Sequence, residues 1–153
     1  MTPVGGDVTA LPLGTASADV VVAGEILEHV TDLPGTIAEL CRVLRPGGLF
    51  VLDTVNATRL GRVVSITVGE RFGAAPVGIH DPELFVDPGD LTTLCAKHGV
   101  RLEVRGIRPS VIGLVRWLVL PGRKRGTLGR MVPTRSTQVL YQGRGRKGED
   151  GTG

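Results

Sequence analysis

Long apolar runs are missing from this 153-residue chain: no stretch reaches the 18 or so residues that a membrane-crossing helix requires. The first thirty residues contain acids and lack the basic start of a signal peptide, so the expected location is the cytoplasm. Aromatic residues are scarce, three Phe with one Tyr and one Trp, and this argues against the stacking platforms of single-strand nucleic-acid binders. There are two cysteines, Cys41 and Cys95, both on the apolar faces of predicted helices, a pattern that favours buried free thiols over a disulfide or metal pair. Acidic residues vanish between positions 104 and 148, where 11 Lys and Arg stand alone, whereas residues 1 to 103 hold 13 acids against 7 bases. That polarity calls for an anionic partner, nucleic acid or an acidic membrane surface, with a solvated basic surface as the plain alternative. What remains is ordinary: 41% hydrophobic and 22% charged residues in a length that suits one domain, with 23 glycines marking many turns.

The pattern along the chain alternates strands with helices, the signature of an α/β fold. Val20 to Ala23 reads as a strand without polar alternation, as in a parallel sheet covered on both faces. Asp32 and Pro34 open a helix whose stripe is Ile37, Leu40, Cys41 and Leu44, and Arg45-Pro46-Gly47-Gly48 stops it. Leu49 to Leu52 is the next strand, completing a right-handed crossover. Asp90 to Lys97 is a second helix closed by Gly99, and Val100 to Ile107 a further strand. Residues Ala57 to Phe72 predict an amphipathic helix or lid after a strand end. Val111 to Leu120 is apolar around Arg116 and is followed by Arg123-Lys124-Arg125; it reads either as a membrane-interface segment or as a core helix with a solvent loop. Thr137 to Gln142 is β-prone, and disorder is expected from Gly143 on.

One cluster carries chemistry. After the strand at Asp19 the chain reads Gly24-Glu25-Ile26-Leu27-Glu28-His29, and a turn of helix there would set positions i, i+3 and i+4 on one face. Glu25, Glu28 and His29 would then converge beyond the end of a parallel strand, where open α/β sheets hold ligands. Two carboxylates and an imidazole suit a hard or borderline divalent cation such as Mg²⁺, while helix-end stabilisation or ion pairing is the structural alternative.

Three segments together, Gly6 to Pro12, Ala18 to Val30 and Leu44 to Phe50, resemble the middle and later motifs of class I S-adenosylmethionine-dependent methyltransferases. Within that superfamily the Glu25, Glu28 and His29 cluster, Thr54 with Asn56, and Gly78-Ile79-His80-Asp81 resemble the ubiquinone-biosynthesis O-methyltransferases. The likeness covers about residues 5 to 108, with a last strand at Ser136 to Gln142. It implies a Rossmann-like class I methyltransferase sheet from its third strand onward, with helices on both faces. Domain limits follow: residues 1 to 142 as the later part of a methyltransferase domain, with an inserted lid at about 57 to 86 and the apolar and basic segment at about 110 to 133, then a disordered tail at 143 to 153.

The resemblance also implies roles. S-adenosylmethionine is the cofactor, with Asp7 near the adenine amino group, the backbone of Val8 beside the same ring and Gly24 lining the pocket; Glu25, Glu28 and His29 match residues associated with a divalent metal, Mg²⁺ for choice. His80 is the catalytic candidate, as a base or a lid contact, with a loop-anchoring hydrogen bond as its other reading. The expected substrate is a phenol, catechol or quinone precursor methylated on oxygen. Asp53 stands where the family more often has a small hydroxyl residue. The family's Gly-rich loop after its first strand, and the acid ending its second, find no match here, so an N-terminally truncated chain, inactive alone, is expected. A competing reading is a non-catalytic module on an anionic membrane surface, held by Arg116, Arg123, Lys124 and Arg125; no specific nucleic-acid partner is expected. The Gly143-x-Gly145-x-x-Gly148 pattern is discarded as a nucleotide loop, since no helix follows it.

Overall fold

The computed structural model describes residues 3–70, 78, 81–120 and 130–149. Five strands, β1 (Ala18–Gly24), β2 (Leu44–Val55), β3 (Val100–Pro109), β4 (Met131–Thr134) and β5 (Leu140–Lys147), form one sheet in the order β1-β2-β5-β3-β4. β1 and β2 are parallel, while β5 runs antiparallel to both of its neighbours. The helices are α1 (Leu33–Val43), α2 (Arg59–Arg62), α3 (Pro88–Lys97) and α4 (Val111–Val119); α2 runs on into a wider, π-type stretch at Val63–Glu70.

Local chemistry explains the boundaries. Asp32 caps α1 by accepting from the amide of Gly35 at 2.9 Å, with Pro34 in the first turn, where a missing N–H does no harm. Asp87 repeats the device for α3, accepting from Gly89 and Asp90. The Arg45 to Gly48 run, expected to end a helix and precede a strand, lies inside β2. Ala18 pairs with Leu44 but Val20 pairs with Leu49, so the four residues bulge out of register, and Gly47 takes the left-handed conformation (φ +72°) that such a kink needs.

Register assigns every side chain to a face. Val21, Ala23, Phe50, Leu52, Tyr141 and Leu102 lie on the side that α1 and α3 cover with Ile37, Leu40, Cys41, Leu91 and Cys95, and these make one continuous buried core. Of the helices expected on both faces, α1 and α3 cover this one. On the opposite face, among the described residues, Val20 and Val22 stand exposed beside Val51, and Arg144, Arg146, Arg101 and Arg105 form an exposed basic field around Glu103.

Disorder beyond Gly143 is corrected: β5 extends to Lys147. Its core-facing positions after Tyr141 are Gly143 and Gly145. A Cβ on Gly143 would lie 3.0 Å from Leu52, and one on Gly145 would lie 2.6 Å from the carbonyl oxygen of Arg101. Neighbouring strands therefore fill the space a side chain would occupy, which is why a buried strand looks like a polar, glycine-rich tail. Lys147 then donates to the carbonyls of Cys41 and Leu44, at 2.7 and 2.8 Å, tying β5 to the end of α1. No described helix is long and apolar enough to cross a membrane.

Candidate functional site

The ends of β1 and β2 open toward one rim, and the chain leaves β1 through a turn rather than a helix. Gly24 is followed by Glu25 at φ +46°, a left-handed residue. Its amide donates to Asp53 at 3.2 Å, through both the backbone carbonyl and side-chain Oδ1. Only at Leu27–His29 does a single 3-10 turn form. The expected convergence of Glu25, Glu28 and His29 is thereby corrected, because the left-handed turn breaks the helical phase between Glu25 and the other two. Glu25 and His29 are exposed, whereas Glu28 is 2% exposed and points inward. Its Oε2 accepts the hydroxyl proton of Thr54 at 2.6 Å, across from β1 to the end of β2. Among the described residues no three His, Cys, Asp or Glu side chains are placed to hold a cation. As folded, this donor set does not fit a metal centre.

Asn56, one residue beyond β2, joins the rim to the end of the chain. Its amide donates to the carbonyl of Val139 at 2.8 Å and its Nδ2 to that of Thr137 at 2.8 Å. Its Oδ1 is buried without a hydrogen-bond partner among the described residues, an open acceptor at the end of β2. Tyr141 is wholly buried and donates to the carbonyl of Val86 at 3.1 Å; burial, reinforced by the charges of Asp87 and Glu28, pushes its phenol well above the usual tyrosine range. Thr58 donates to the carbonyl of Gln138 and caps α2. His80 lies outside the described residues, as do residues 71–77 of the expected lid and the cluster Arg123, Lys124 and Arg125.

The Asp7 loop is better built than its sequence suggests. Asp7 Oδ1 accepts from the amide of Thr9 at 2.8 Å and from its hydroxyl at 2.7 Å, and these bonds hold the exposed carboxyl below the usual carboxylate range. The amide of Ala10 donates back to the carbonyl of Asp7 at 3.0 Å, closing a turn around the half-buried Val8. A pair on α1 anchors this loop. Glu39 accepts from the amide of Leu11 at 2.9 Å, and Arg42 donates to the carbonyls of Leu11 and Leu13 and to Thr15 Oγ1. The two side chains meet at 2.6 Å, an ion pair that lowers the carboxyl pKa of Glu39 and raises that of Arg42. Sequence reasoning missed this clamp, although Glu39 and Arg42 sit three apart on a helix face, the spacing of an ion pair.

Asp7 offers a charged, exposed acceptor for an amino group. A Cβ on Gly24 would stand only 3.2 Å from Asp53 Oδ1, so a side chain there would press on that carboxylate.

Known proteins resemble this chain. Residues 1–52 match the family model described as "Methyltransferase domain". The chain is 37% identical over 125 residues to the ubiquinone biosynthesis O-methyltransferase of Methylobacterium nodulans, covering 80% of this chain and 44% of that protein. It is 36% identical over 98 residues to the mitochondrial ubiquinone biosynthesis O-methyltransferase of Homo sapiens, covering 63% of this chain and 25% of that one. The chain thus spans less than half the length of these curated relatives. Among solved structures it resembles a SAM-dependent methyltransferase of Thermotoga maritima, named a possible histamine N-methyltransferase, with a TM-score of 0.61 at 18% identity, covering 93% of this chain and 61% of that one. A SAM-dependent methyltransferase of Methanosarcina mazei matches with a TM-score of 0.55 at 16% identity, covering 94% and 65%. At these identities the likeness speaks for the fold.

Proposed function

Starting from the chain's membership of the SAM-dependent methyltransferases, we propose that it serves methyl transfer to the oxygen of a phenol or catechol on the way to a quinone. The observation that carries this reading is the joined rim of β1 and β2, with the clamped Asp7 loop, in a chain 37% identical to a ubiquinone biosynthesis O-methyltransferase. When bound, S-adenosylmethionine supplies an electrophilic methyl group on a sulfonium. The Asp7 carboxylate accepts from the adenine amino group, the Val8 backbone lies along the ring, and Gly24 lines the cofactor at the end of β1. Glu39 and Arg42 hold that loop in place before the cofactor arrives, so less ordering free energy is spent on binding. The substrate is a small phenolic molecule, and the protein works in the cytoplasm or against a membrane surface.

Calorimetry with S-adenosylmethionine tests the cofactor assignment. Binding should appear with the wild type and weaken about fivefold or more in Asp7→Asn, which removes the charge of a charge-assisted hydrogen bond. Transfer of a labelled methyl group to catechol then tests the reaction. Absence of heat with the wild type would remove the reading that this chain holds the cofactor by itself.

A further inference from the structure

The seam between β3 and β5 sets like charges against each other. Arg101 and Arg146 are register partners, so they stand directly opposite on one face of the sheet, and both are exposed. Side chains so placed have Cβ atoms about 5 Å apart, and two cations there destabilise the strand pair. Arg144 follows on the same face, about 7 Å along β5 and opposite Glu103. The ion pairs among the described residues use none of these three arginines. Arg146 instead donates to the carbonyl of Gly47 at 2.9 Å, which fixes its guanidinium beside the kink in β2. Two cavities meet at this pair. Arg101 and Arg146 line one of about 590 Å³ with Gly47, Gly99 and Lys147, and a second of about 310 Å³ with Arg144. Glu149 borders the first and Glu103 the second, which leaves two acids against four bases.

We propose that this seam binds an oligophosphate anion of the triphosphate class. Guanidinium forks match phosphate oxygens two at a time, and an anion between Arg101 and Arg146 replaces their repulsion by attraction to a shared ligand. One sulfate-sized anion can bridge that pair without reaching Arg144, about 7 Å farther on, whereas a chain of phosphates serves all three. Gly47 and Gly99 bring no side chain into the cleft, so the anion can approach the backbone closely. No aromatic side chain lines either cavity, which leaves the phosphates as the part that is recognised. The seam lies at the opposite end of β2 from Thr54 and Asn56, so the proposal stands or falls independently of methyl transfer.

Calorimetry of the whole chain with tripolyphosphate, without divalent cations, tests it. Thymidine triphosphate is the second probe, because thymine lacks the amino group proposed to bond Asp7; thymidine, sulfate and a hexaglutamate peptide complete the set. Tripolyphosphate should bind, thymidine should give no heat, and sulfate and hexaglutamate should bind about tenfold more weakly or worse. Thymidine triphosphate binding more tightly than tripolyphosphate identifies a nucleotide as the source, and weaker binding an inorganic chain. Arg101→Gln should weaken tripolyphosphate binding by about tenfold or more, while Arg59→Gln, the same loss of charge on α2, should stay within about twofold of wild type. Without anion, Arg101→Gln should unfold at or above the wild-type Tm, since it relieves the like-charge pair, and tripolyphosphate should raise the Tm of the wild type far more than that of the variant. No binding by the wild type overturns the proposal, as does equal binding by Arg101→Gln or an equal loss in Arg59→Gln. Sulfate or hexaglutamate binding as tightly as tripolyphosphate also overturns it, and so does a lowered Tm in Arg101→Gln without anion.

Discussion

Replacing Thr54 by Val leaves the shape of the β2 end intact and removes the hydroxyl that serves the buried Glu28 carboxylate. The two are 2.6 Å apart, and Glu28 is 2% exposed. The ion pairs among the described residues, Arg42 with Glu39 and Arg45 with Asp19, leave Glu28 out. A hydrogen bond to a charged group contributes about 1.5–3 kcal/mol, against about 0.5–1.5 for a neutral pair. Thr54→Val should therefore destabilise the protein by about 2 kcal/mol in the Glu28 background but only about 1 kcal/mol once Glu28→Gln has removed the charge. Urea unfolding of the wild type, the two single variants and the double variant yields this difference as a coupling of about 1 kcal/mol, above the ~0.5 kcal/mol scatter of unrelated sites. At this chain length 1 kcal/mol corresponds to about 2–4 °C in Tm, so thermal scans give an independent check. Equal penalties in both backgrounds would refute the pairing. A Tm that rises with Mg²⁺ in the wild type, and not in Glu28→Gln, would instead mean that the carboxylate turns to face a cation.

Gly106→Ala would set a Cβ 1.8 Å from the backbone oxygen of Ser136, so a loss of about 2 kcal/mol or more is expected by chemical unfolding, whereas Gly5→Ala, with no atom within 4 Å of the new methyl, should lie within about 0.5 kcal/mol of wild type. Cys41 and Cys95 are both buried at the packed faces of α1 and α3; a mutual hydrogen bond, opposed by burial, lowers the first thiol, while the same bond together with burial raises the second. Neither should react with an aromatic disulfide reagent in native buffer, and both should react in denaturant; rapid native labelling would contradict the packing. The lowered pKa of Asp7 means that its turn is favoured above the ordinary value of 3.8 and loses that support as pH falls through the still lower folded value. Carbon-detected NMR titration should find its midpoint below 3.8, and Thr9→Ala should return it toward 3.8.

The elements that were legible in the sequence are those whose signals are local. Asp32 with Pro34 announces α1 through a side chain that bonds its own backbone, whereas α3, expected from Asp90, begins at Pro88 under the same device at Asp87. The apolar run Val20 to Ala23 announces β1 by its β-branched residues, although the cover expected on both faces is missing from Val20 and Val22. Two features could not be read locally. The far half of β5, from Gly143 to Lys147, hides because Leu52 and Leu102 from its neighbours fill the space over Gly143, which only the paired sheet reveals. The Glu25, Glu28 and His29 cluster misled because one left-handed residue, Glu25, changes the phase of everything after it; no residue type announces that turn, since glutamate seldom adopts it. The bond from Thr54 to Glu28 joins positions 26 apart and depends on that same turn.

The place of β5 in the middle of the sheet has a kinetic consequence. It pairs with β2, some ninety residues earlier, and with β3, so that residues 140–147 close a seam between segments made long before them. During synthesis the unit of β1, α1 and β2 can assemble early, but β2 keeps an open edge until residue 147 has left the ribosome. Contacts so distant in sequence form slowly, and an unpaired edge is open to the wrong strand in the meantime. A ribosome-stalled series of growing lengths should therefore acquire protease resistance in two steps, the second only after the seam has emerged.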